Sequence, residues 1–368
     1  MKRILYAIRQ GKIGGGERHL LDLVTHLNKK DFYPIVVSFT PGEMIEALQE
    51  LGIETYVIPS QSPFDFRVWP RVSELIGKKN IDIIHAHGTR ACSNVFWSAN
   101  KLNIPLLYTV HGWSFHAGQK PYIRYLRQAG EKWLINQANA VINVSHSNFQ
   151  EGKQKLGLQN ATVIQNGVNL TRFDKSKTYP NTRAELGVPS HCTLVGFIAR
   201  ITHQKDPISF VHAAQQVLQE HSDIHFLMVG EGDLKEEAID LVEKYDIASN
   251  FHFQDFRNDV PALLSIIDIY CLPSLWEGLP IGLLEAMAMG KAVLATPVDG
   301  TKEIIINQVN GFYIKVNHPQ DIAAKIIQLH TNKNLAERTG LSASDLVYQE
   351  YDLKDSIRRT EQVYCEIL

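Results

Sequence analysis

Trp276-Glu277-Gly278-Leu279-Pro280-Ile281-Gly282-Leu283-Leu284-Glu285-Ala286-Met287 is the most informative stretch of this 368-residue chain. It follows a short apolar run at residues 269–272 and passes from a glycine- and proline-bearing turn into a run of helix formers. Pro280 suits the first turn of a helix, where its missing N–H is not needed, so Glu277 falls just before the helix and Glu285 inside it. A helix opening of this kind offers N–H groups and the positive end of the helix dipole to a pyrophosphate. The two glutamates then bracket the anion site, one reaching a sugar hydroxyl and the other accepting from ribose hydroxyls. Glu285, between Leu284 and Ala286, is an acid on an apolar helix and calls for a partner.

The same alternation of a β-branched run and an amphipathic helix recurs outward from this stretch. Runs at 35–39, 81–84, 106–110, 140–144 and 162–164 precede it, and 194–198, 225–229 and 292–295 lie around it. Continuous apolar strands alternating with helices mean parallel sheets covered on both faces. A polar stretch holding Lys175, Ser176, Lys177, Pro180 and Asn181 breaks the pattern near 172–189. The expected fold is therefore α/β, with two Rossmann-like, doubly wound parallel-sheet domains facing a cleft. The first spans 1–172 and the second 173–352, with the closing helix 353–368 crossing back onto the first.

Bulk properties agree with an α/β protein. Apolar residues make up 44%, and no run approaches the length needed to span a bilayer. The N-terminal apolar stretch is interrupted by Arg9 and leads into a glycine turn, so it reads as a buried strand rather than a signal peptide. Cys92, Cys192, Cys271 and Cys365 are isolated, which fits a reducing cytoplasm and neither a zinc cluster nor a disulfide framework. Net charge is −2, unevenly spread. Residues 1–170 carry 19 Lys+Arg against 12 Asp+Glu, and residues 171–368 carry 18 against 27. The basic half is suited to an anionic lipid surface or an anionic acceptor, while the acidic half argues against a nucleic-acid partner.

Further motifs carry chemistry. Gly11-Lys12-Ile13-Gly14-Gly15-Gly16-Glu17 turns into a helix marked by Leu20, Val24 and Leu27, so backbone N–H groups can approach a phosphate or sugar. It is not a dinucleotide fingerprint, and no acidic residue closes the strand at 35–39. Gly290-Lys291 lacks the remainder of a Walker A loop. Arg200 and Lys205, after the strand ending near Ile198, are placed to neutralise a diphosphate. His85 and His87 alternate at a strand end, so at most one is expected to face the cleft. His111, at a strand end before Gly112, is better placed. No D-x-D tripeptide occurs, so no diphosphate-clamping metal and no cofactor are expected.

Taken in order, these motifs resemble those of the retaining glycosyltransferase family 4, of GT-B fold, which includes many bacterial lipopolysaccharide, capsule and exopolysaccharide enzymes. The likeness runs through Gly14-Gly15-Gly16-Glu17, Asp82-Ile83-Ile84-His85-Ala86-His87, Thr109-Val110-His111-Gly112 and Val144-Ser145. It continues through Ile164-Gln165-Asn166-Gly167-Val168-Asn169, Arg200 with Lys205, Gly230-Glu231-Gly232 and the Glu277/Glu285 pair. The resemblance implies that Arg200 and Lys205 hold the donor pyrophosphate and that Glu285 binds the ribose. It implies that Glu277 contacts the transferred sugar near the backbone of Gly278, Leu279 and Ile281, and that Gly15 and Gly16 approach the phosphates. His111 would stand at the reaction centre, Val260 near the base, and Glu17, His85 and His87 toward the acceptor. In two places the chain departs from the family: Phe197 stands where an arginine is common, and Pro280 cannot donate an N–H.

The expected activity is thus retaining, metal-independent transfer of a hexose or N-acetylhexosamine. The donor is a nucleotide-diphosphate sugar with uracil as the favoured base, and the acceptor a glycan or lipid-linked molecule. The alternatives are a nucleotide-sugar epimerase on the same fold and, disfavoured by the missing fingerprint, a nicotinamide-dependent oxidoreductase. The expected location is cytoplasmic, at the inner face of the cell membrane. The segment 113–133, mixing Trp113, Phe115, Tyr122, Tyr125 and Trp133 with Lys120, Arg124, Arg127 and Lys132, reads as an interfacial surface beside the acceptor site.

Overall fold

Uninterrupted apolar runs become strands covered on both faces, in a computed structural model that describes residues 1–116, 118–159 and 161–368. The first unit comprises Met1–Asn166 and Leu353–Leu368, the second Gly167–Asp352. The strands of the first are β1 (Lys2–Ile8), β2 (Phe32–Ser38), β3 (Glu54–Val57), β4 (Ile83–His87), β5 (Leu106–Val110), β6 (Ala140–Asn143) and β7 (Thr162–Val163). All pair in parallel, in the order β3-β2-β1-β4-β5-β6-β7. Side chains alternate with period two, so Leu5, Ala7, Ile35 and Val37 enter one apolar cluster while Ile4, Tyr6, Ile8 and Val36 enter another. Helices therefore have an apolar face to cover on each side of the sheet.

The second unit repeats this plan with β8 (Thr193–Ile198), β9 (Ile224–Val229), β10 (Phe251–Gln254), β11 (Ile269–Leu272), β12 (Ala292–Ala295) and β13 (Phe312–Tyr313). Their order is β10-β9-β8-β11-β12-β13, again parallel. Both units are thus doubly wound, with the winding direction reversing beside β1 and β8 respectively. Strands β3, β10 and β13 were not legible as apolar runs. Each lies at a sheet edge, where one flank has no partner strand and polar residues such as Glu54, His252 and Gln254 are tolerated.

The division falls between Asn166 and Gly167 rather than at Arg172. Val168 N–H donates to Tyr351 O at 2.8 Å, and Arg172 Nη2 donates to Asn258 O at 2.7 Å, which ties this segment into the second unit. The helix Leu353–Ile367 belongs to the first unit. Its Leu353, Ile357, Val363 and Tyr364 are buried in the cluster that contains Ile4, Tyr6 and Leu20.

Candidate active site

In an open doubly wound sheet, ligands gather at the carboxyl ends of the strands where the winding reverses, because the loops there part and leave a crevice. In the second unit those loops leave β8 and β11. The β8 loop carries Arg200 and Lys205, and the β11 loop carries Ser274 and Glu277. Glycine permits the β8 loop to be gripped from outside. A Cβ on Gly230 would lie 2.1 Å from Ala199 O, and one on Gly232 would lie 2.0 Å from Ile201 O. Ile201 N–H then donates to Glu231 O at 2.9 Å.

The two loops are joined by polar contacts. Gln204 Nε2 donates to Trp276 O at 2.9 Å, and Leu275 N–H to Gln204 O at 2.8 Å. Lys205 Nζ forms an ion pair with Glu277 Oε1, which also accepts from Ser274 Oγ at 2.6 Å. The Glu277 N–H donates to Asp299 Oδ2 at 2.8 Å, so the turn is held from the far side as well. Both charged side chains are mostly buried, 15% exposed for Lys205 and 5% for Glu277. An ion pair so placed resists screening and stays aligned. Arg200 is exposed and reaches Gln204 Oε1 at 3.2 Å, so the two cations differ in setting, one solvated and one locked to the glutamate.

Pro280 stands one position before its expected place. It precedes the helix Ile281–Ala288 with φ −73° and ψ 109°, so the first helical N–H groups, those of Ile281, Gly282 and Leu283, have no intrahelical acceptor. Gly282 lets this helix end sit close to the sheet, since a Cβ there would be 2.9 Å from the Tyr270 hydroxyl. That hydroxyl donates to Ile198 O at 3.1 Å. Burial, with Glu285 and Glu277 adding to it, pushes the Tyr270 hydroxyl well above its usual range. Glu285 is buried inside the helix and Leu279 just before it, while Gly278 O accepts from Gly300 N–H at 3.1 Å. Val260 opens the helix Val260–Ile266, next to a turn braced by Arg257, whose fork binds Asp259 at 2.8 and 2.6 Å and Glu185 at 2.6 Å.

In the first unit the carboxyl ends of β1, β4 and β5 bring four imidazoles together. Gly14 precedes the helix Gly15–His26, which holds Glu17 in its first turn and the buried His19 just after it. A Cβ on Gly16 would meet His111 Cδ2 at 3.5 Å, whereas one on Gly15 would meet nothing within 4 Å. His87 Nδ1 and His111 Nε2 share a hydrogen bond of 3.0 Å, and the His19 and His111 ring centroids are 5.0 Å apart. Burial holds His85, His87 and His111 well below the usual imidazole range and lowers His19 to about 4, an effect opposed by hydrogen bonding of the His19 imidazole to the Asn166 side chain. The cluster is therefore neutral at physiological pH.

Two expectations about the histidines need correction. His85 and His87 do not split between faces: residues two apart in a strand share a face, and their ring centroids are 4.1 Å apart. His85 is also fully buried, with Nδ1 against Tyr364 Oη and Nε2 against Thr109 Oγ1, both at 2.7 Å, so it has no free edge for an acceptor. It supports the site from beneath. His19, Tyr364, Ser274 and Asp299 were not singled out from sequence. His19 had a signal, since it falls four residues before Leu23, on the same face of an amphipathic helix; the others are brought in by loops and by the terminal helix.

His19, His87 and His111 each offer a nitrogen within 4.8 Å of the other two, so these side chains have the composition to hold a cation. Nε2 of His87 is buried without a hydrogen-bond partner among the described residues.

Comparison with known proteins places this geometry in a family. The model described as Glycosyltransferase Family 4 matches residues 13–172, and that for Glycosyl transferases group 1 matches residues 179–345. An Escherichia coli UDP-Gal:alpha-D-GlcNAc-diphosphoundecaprenol alpha-1,3-galactosyltransferase is 24% identical, over 71% of this chain and 70% of its own. The N-acetyl-alpha-D-glucosaminyl L-malate synthase of Bacillus anthracis is 24% identical, over 87% and 84%. Anabaena HepE, crystallised with UDP and glucose, has the same fold, with a TM-score of 0.87 over the whole of both chains at 22% identity. The chain belongs to the group 1, family 4 glycosyltransferases, with two Rossmann-like domains of the GT-B kind.

Proposed function

We propose that this enzyme moves a hexose or N-acetylhexosamine from a UDP-sugar to a glycan or lipid-linked acceptor in cell-surface polysaccharide or glycolipid synthesis, with retention and without a catalytic metal. The observation that carries the donor half is the Lys205–Glu277 pair with Ser274 beside it, at the amino end of the helix Ile281–Ala288. Binding of a diphosphate would draw the Lys205 ammonium and the free helix N–H groups toward the phosphates, leaving Glu277 to accept from sugar hydroxyls. Glu285 would take the ribose, and Val260 would lie near the base. The HepE complex with UDP and glucose, and the UDP-galactose donor in the E. coli relative's name, favour uridine.

Retention is best served by front-face attack. The acceptor hydroxyl oxygen bonds to the anomeric carbon on the side from which the diphosphate leaves, and a departing phosphate oxygen takes the hydroxyl proton. His111, neutral through burial, then supports the sugar or its developing charge instead of acting as the base. Glu17 and His87 remain the acceptor-side candidates of the first unit.

Thermal denaturation across a panel of UDP- and GDP-sugars tests the donor class, since a specific ligand stabilises by mass action. The expected result is a selective rise with one UDP-sugar; no response to any nucleotide sugar would reject the reading. Product NMR should show an α-linkage from an α-donor, and a β-linkage would overturn retention. Turnover should persist in excess EDTA, whereas an absolute requirement for a divalent ion would direct attention to His19, His87 and His111.

Peripheral membrane contact finds support in the helix Pro121–Gln137. Tyr122, Tyr125, Leu126 and Trp133 are exposed at 62, 70, 65 and 42%, at helical spacing and flanked by Arg124, Arg127 and Lys132. The opposite face is anchored by buried Glu131, which accepts from Thr89 Oγ1 at 2.6 Å, Tyr108 Oη at 3.0 Å and Ser114 N–H at 3.1 Å. No helix among the described residues is long and apolar enough to cross a membrane. Co-sedimentation with anionic vesicles should weaken as salt rises. Equal binding to neutral vesicles would remove the electrostatic part of the proposal.

A further inference from the structure

Away from the donor residues, at the amino-terminal end of the strands of the second sheet, three metal-ligating side chains converge. His221 and Asp223 lie in the turn leading into β9, and His330 in the last turn of the helix Pro319–Thr331. Each offers one ligand atom, and the three atoms lie within 4.8 Å of one another. His330 Nε2 and Asp223 Oδ2 are 3.5 Å apart. A tetrahedral zinc ion with bonds of 2.0–2.2 Å separates its ligands by about 3.4 Å, so this edge of the polyhedron is already at its metal-bound length. The His221 and His330 rings meet edge to face with centroids 5.1 Å apart, and the His221 ligand atom lies within 4.8 Å of both other ligand atoms, at the position of a third corner.

The backbone beneath the three ligands is pinned. His221 N–H donates to Val217 O at 3.0 Å, His221 O accepts from Ile224 N–H at 3.3 Å, and Asp223 O accepts from Thr193 N–H at 3.2 Å. Thr193 also sets the orientation of His330. Its hydroxyl lies 2.9 Å from His330 Nδ1 and accepts from Lys333 Nζ at 2.6 Å. With one lone pair taken by Lys333, the other can accept Nδ1–H, which turns the Nε2 lone pair toward Asp223; a hydroxyl in this role serves as the outer partner of a ligating histidine.

We propose that His221, Asp223 and His330 form a zinc site with water in the fourth position, fastening the end of the helix Pro319–Thr331 to the turn before β9. Two imidazoles and one carboxylate suit a borderline cation such as Zn²⁺ and not Mg²⁺, which prefers an all-oxygen shell.

The experiment is calorimetric titration of ZnCl₂ into EDTA-stripped, desalted full-length protein, with MgCl₂ as control. Wild-type protein should take up one equivalent at this site with low-micromolar affinity or better, and no Mg²⁺. H330Q and D223N should each lose that equivalent or bind it at least tenfold more weakly. Zinc should raise the melting temperature of wild-type protein and of neither variant. Asp223 is 64% exposed, so D223N reports on the site even if H330Q fails to fold. No zinc uptake tighter than about 100 µM by wild-type protein would overturn the proposal. So would full stoichiometry in both variants, which would move the ion to His19, His87 and His111. Sugar transfer by D223N should equal that of wild type, because the site and the donor residues occupy opposite ends of the strands.

Discussion

Lys205 and Glu277 bear most directly on chemistry, because each is buried against the other. Lys205→Ala would leave the Glu277 carboxylate with Ser274 but no cation, and would remove a charge-assisted contact to the diphosphate. Affinity for the nucleoside diphosphate should fall roughly ten- to a hundredfold, the equivalent of about 1.5–3 kcal/mol. Arg200→Ala should cost less, since that guanidinium is solvated. Calorimetric binding of UDP to both variants checks the order, and unchanged affinity in both would place the diphosphate elsewhere. Glu277→Gln should keep the fold and slow transfer, with no glycosyl–enzyme adduct detectable by intact-protein mass spectrometry. The buried imidazoles make a separate prediction about pH. His19 is lowered from 6.5 to about 4, and His85, His87 and His111 are lowered in the same direction. Below about pH 6.5 the unfolded chain therefore binds more protons than the folded one, so stability falls as the pH drops toward 4 and is fully present above 6.5. Urea unfolding at pH 7.5, 6 and 5 should show a steadily earlier midpoint for the first unit. A midpoint that does not move would mean that folding leaves the imidazole pKa values unshifted.

Among elements, the turns that carry glycine divide into those fixed by contact and those left open. Gly300 is fixed: a Cβ there would lie 2.0 Å from Gly278 O, which would push apart the segments carrying Asp299 and Glu277. Gly300→Ala should lower stability and donor binding together. Gly15 is open, with nothing within 4 Å of the position a Cβ would take, and it sits at the first position of a helix where alanine is favoured. Gly15→Ala should therefore fold as well as wild type, so any loss of transfer would report the close approach of substrate to that helix end. Paired melting curves and transfer rates distinguish the two cases. Identical behaviour of both variants would show that the Gly278–Gly300 contact is dispensable.

For the molecule as a whole, the closing helix decides whether the first unit stands. Leu353, Ile357, Val363 and Tyr364 bury against Tyr6, Leu20 and Phe32, and full burial of an apolar side chain of this size is worth about 1.5–3 kcal/mol. Four such residues amount to much of the net stability of a domain. Deleting 353–368 should expose the first unit to limited proteolysis and abolish its thermal transition, while the second unit, which holds 167–352, retains its own. A truncated chain with both transitions intact would contradict this. Tyr364→Phe is a gentler probe. It removes the hydroxyl from His85 Nδ1 and from Tyr6 Oη, at 2.7 and 3.0 Å, and should lower stability by about 1 kcal/mol while leaving the helix docked.

Parallel-sheet architecture was written locally, because strands covered on both faces must be continuously apolar, and Leu106–Val110 or Ile269–Leu272 announce themselves without reference to the rest of the chain. The helix opening after Glu277 and the cations after Ile198 were legible for the same reason: a turn, a cap and a charge are properties of a few adjacent residues. Edge strands such as Glu54–Val57 escaped because their composition is not constrained by burial on two faces. The pairing of Lys205 with Glu277 was also hidden, since it depends on β8 and β11 being neighbours across a sheet, and strand order is not a local property. The histidines carry the same lesson. Sequence placed His87 and His111 at strand ends, but only the assembled sheet, the Gly15–His26 helix and a tyrosine from the chain's last turns bring four imidazoles into one apolar space. The pKa of each imidazole is decided there, because desolvation acts only once the surrounding elements have excluded water.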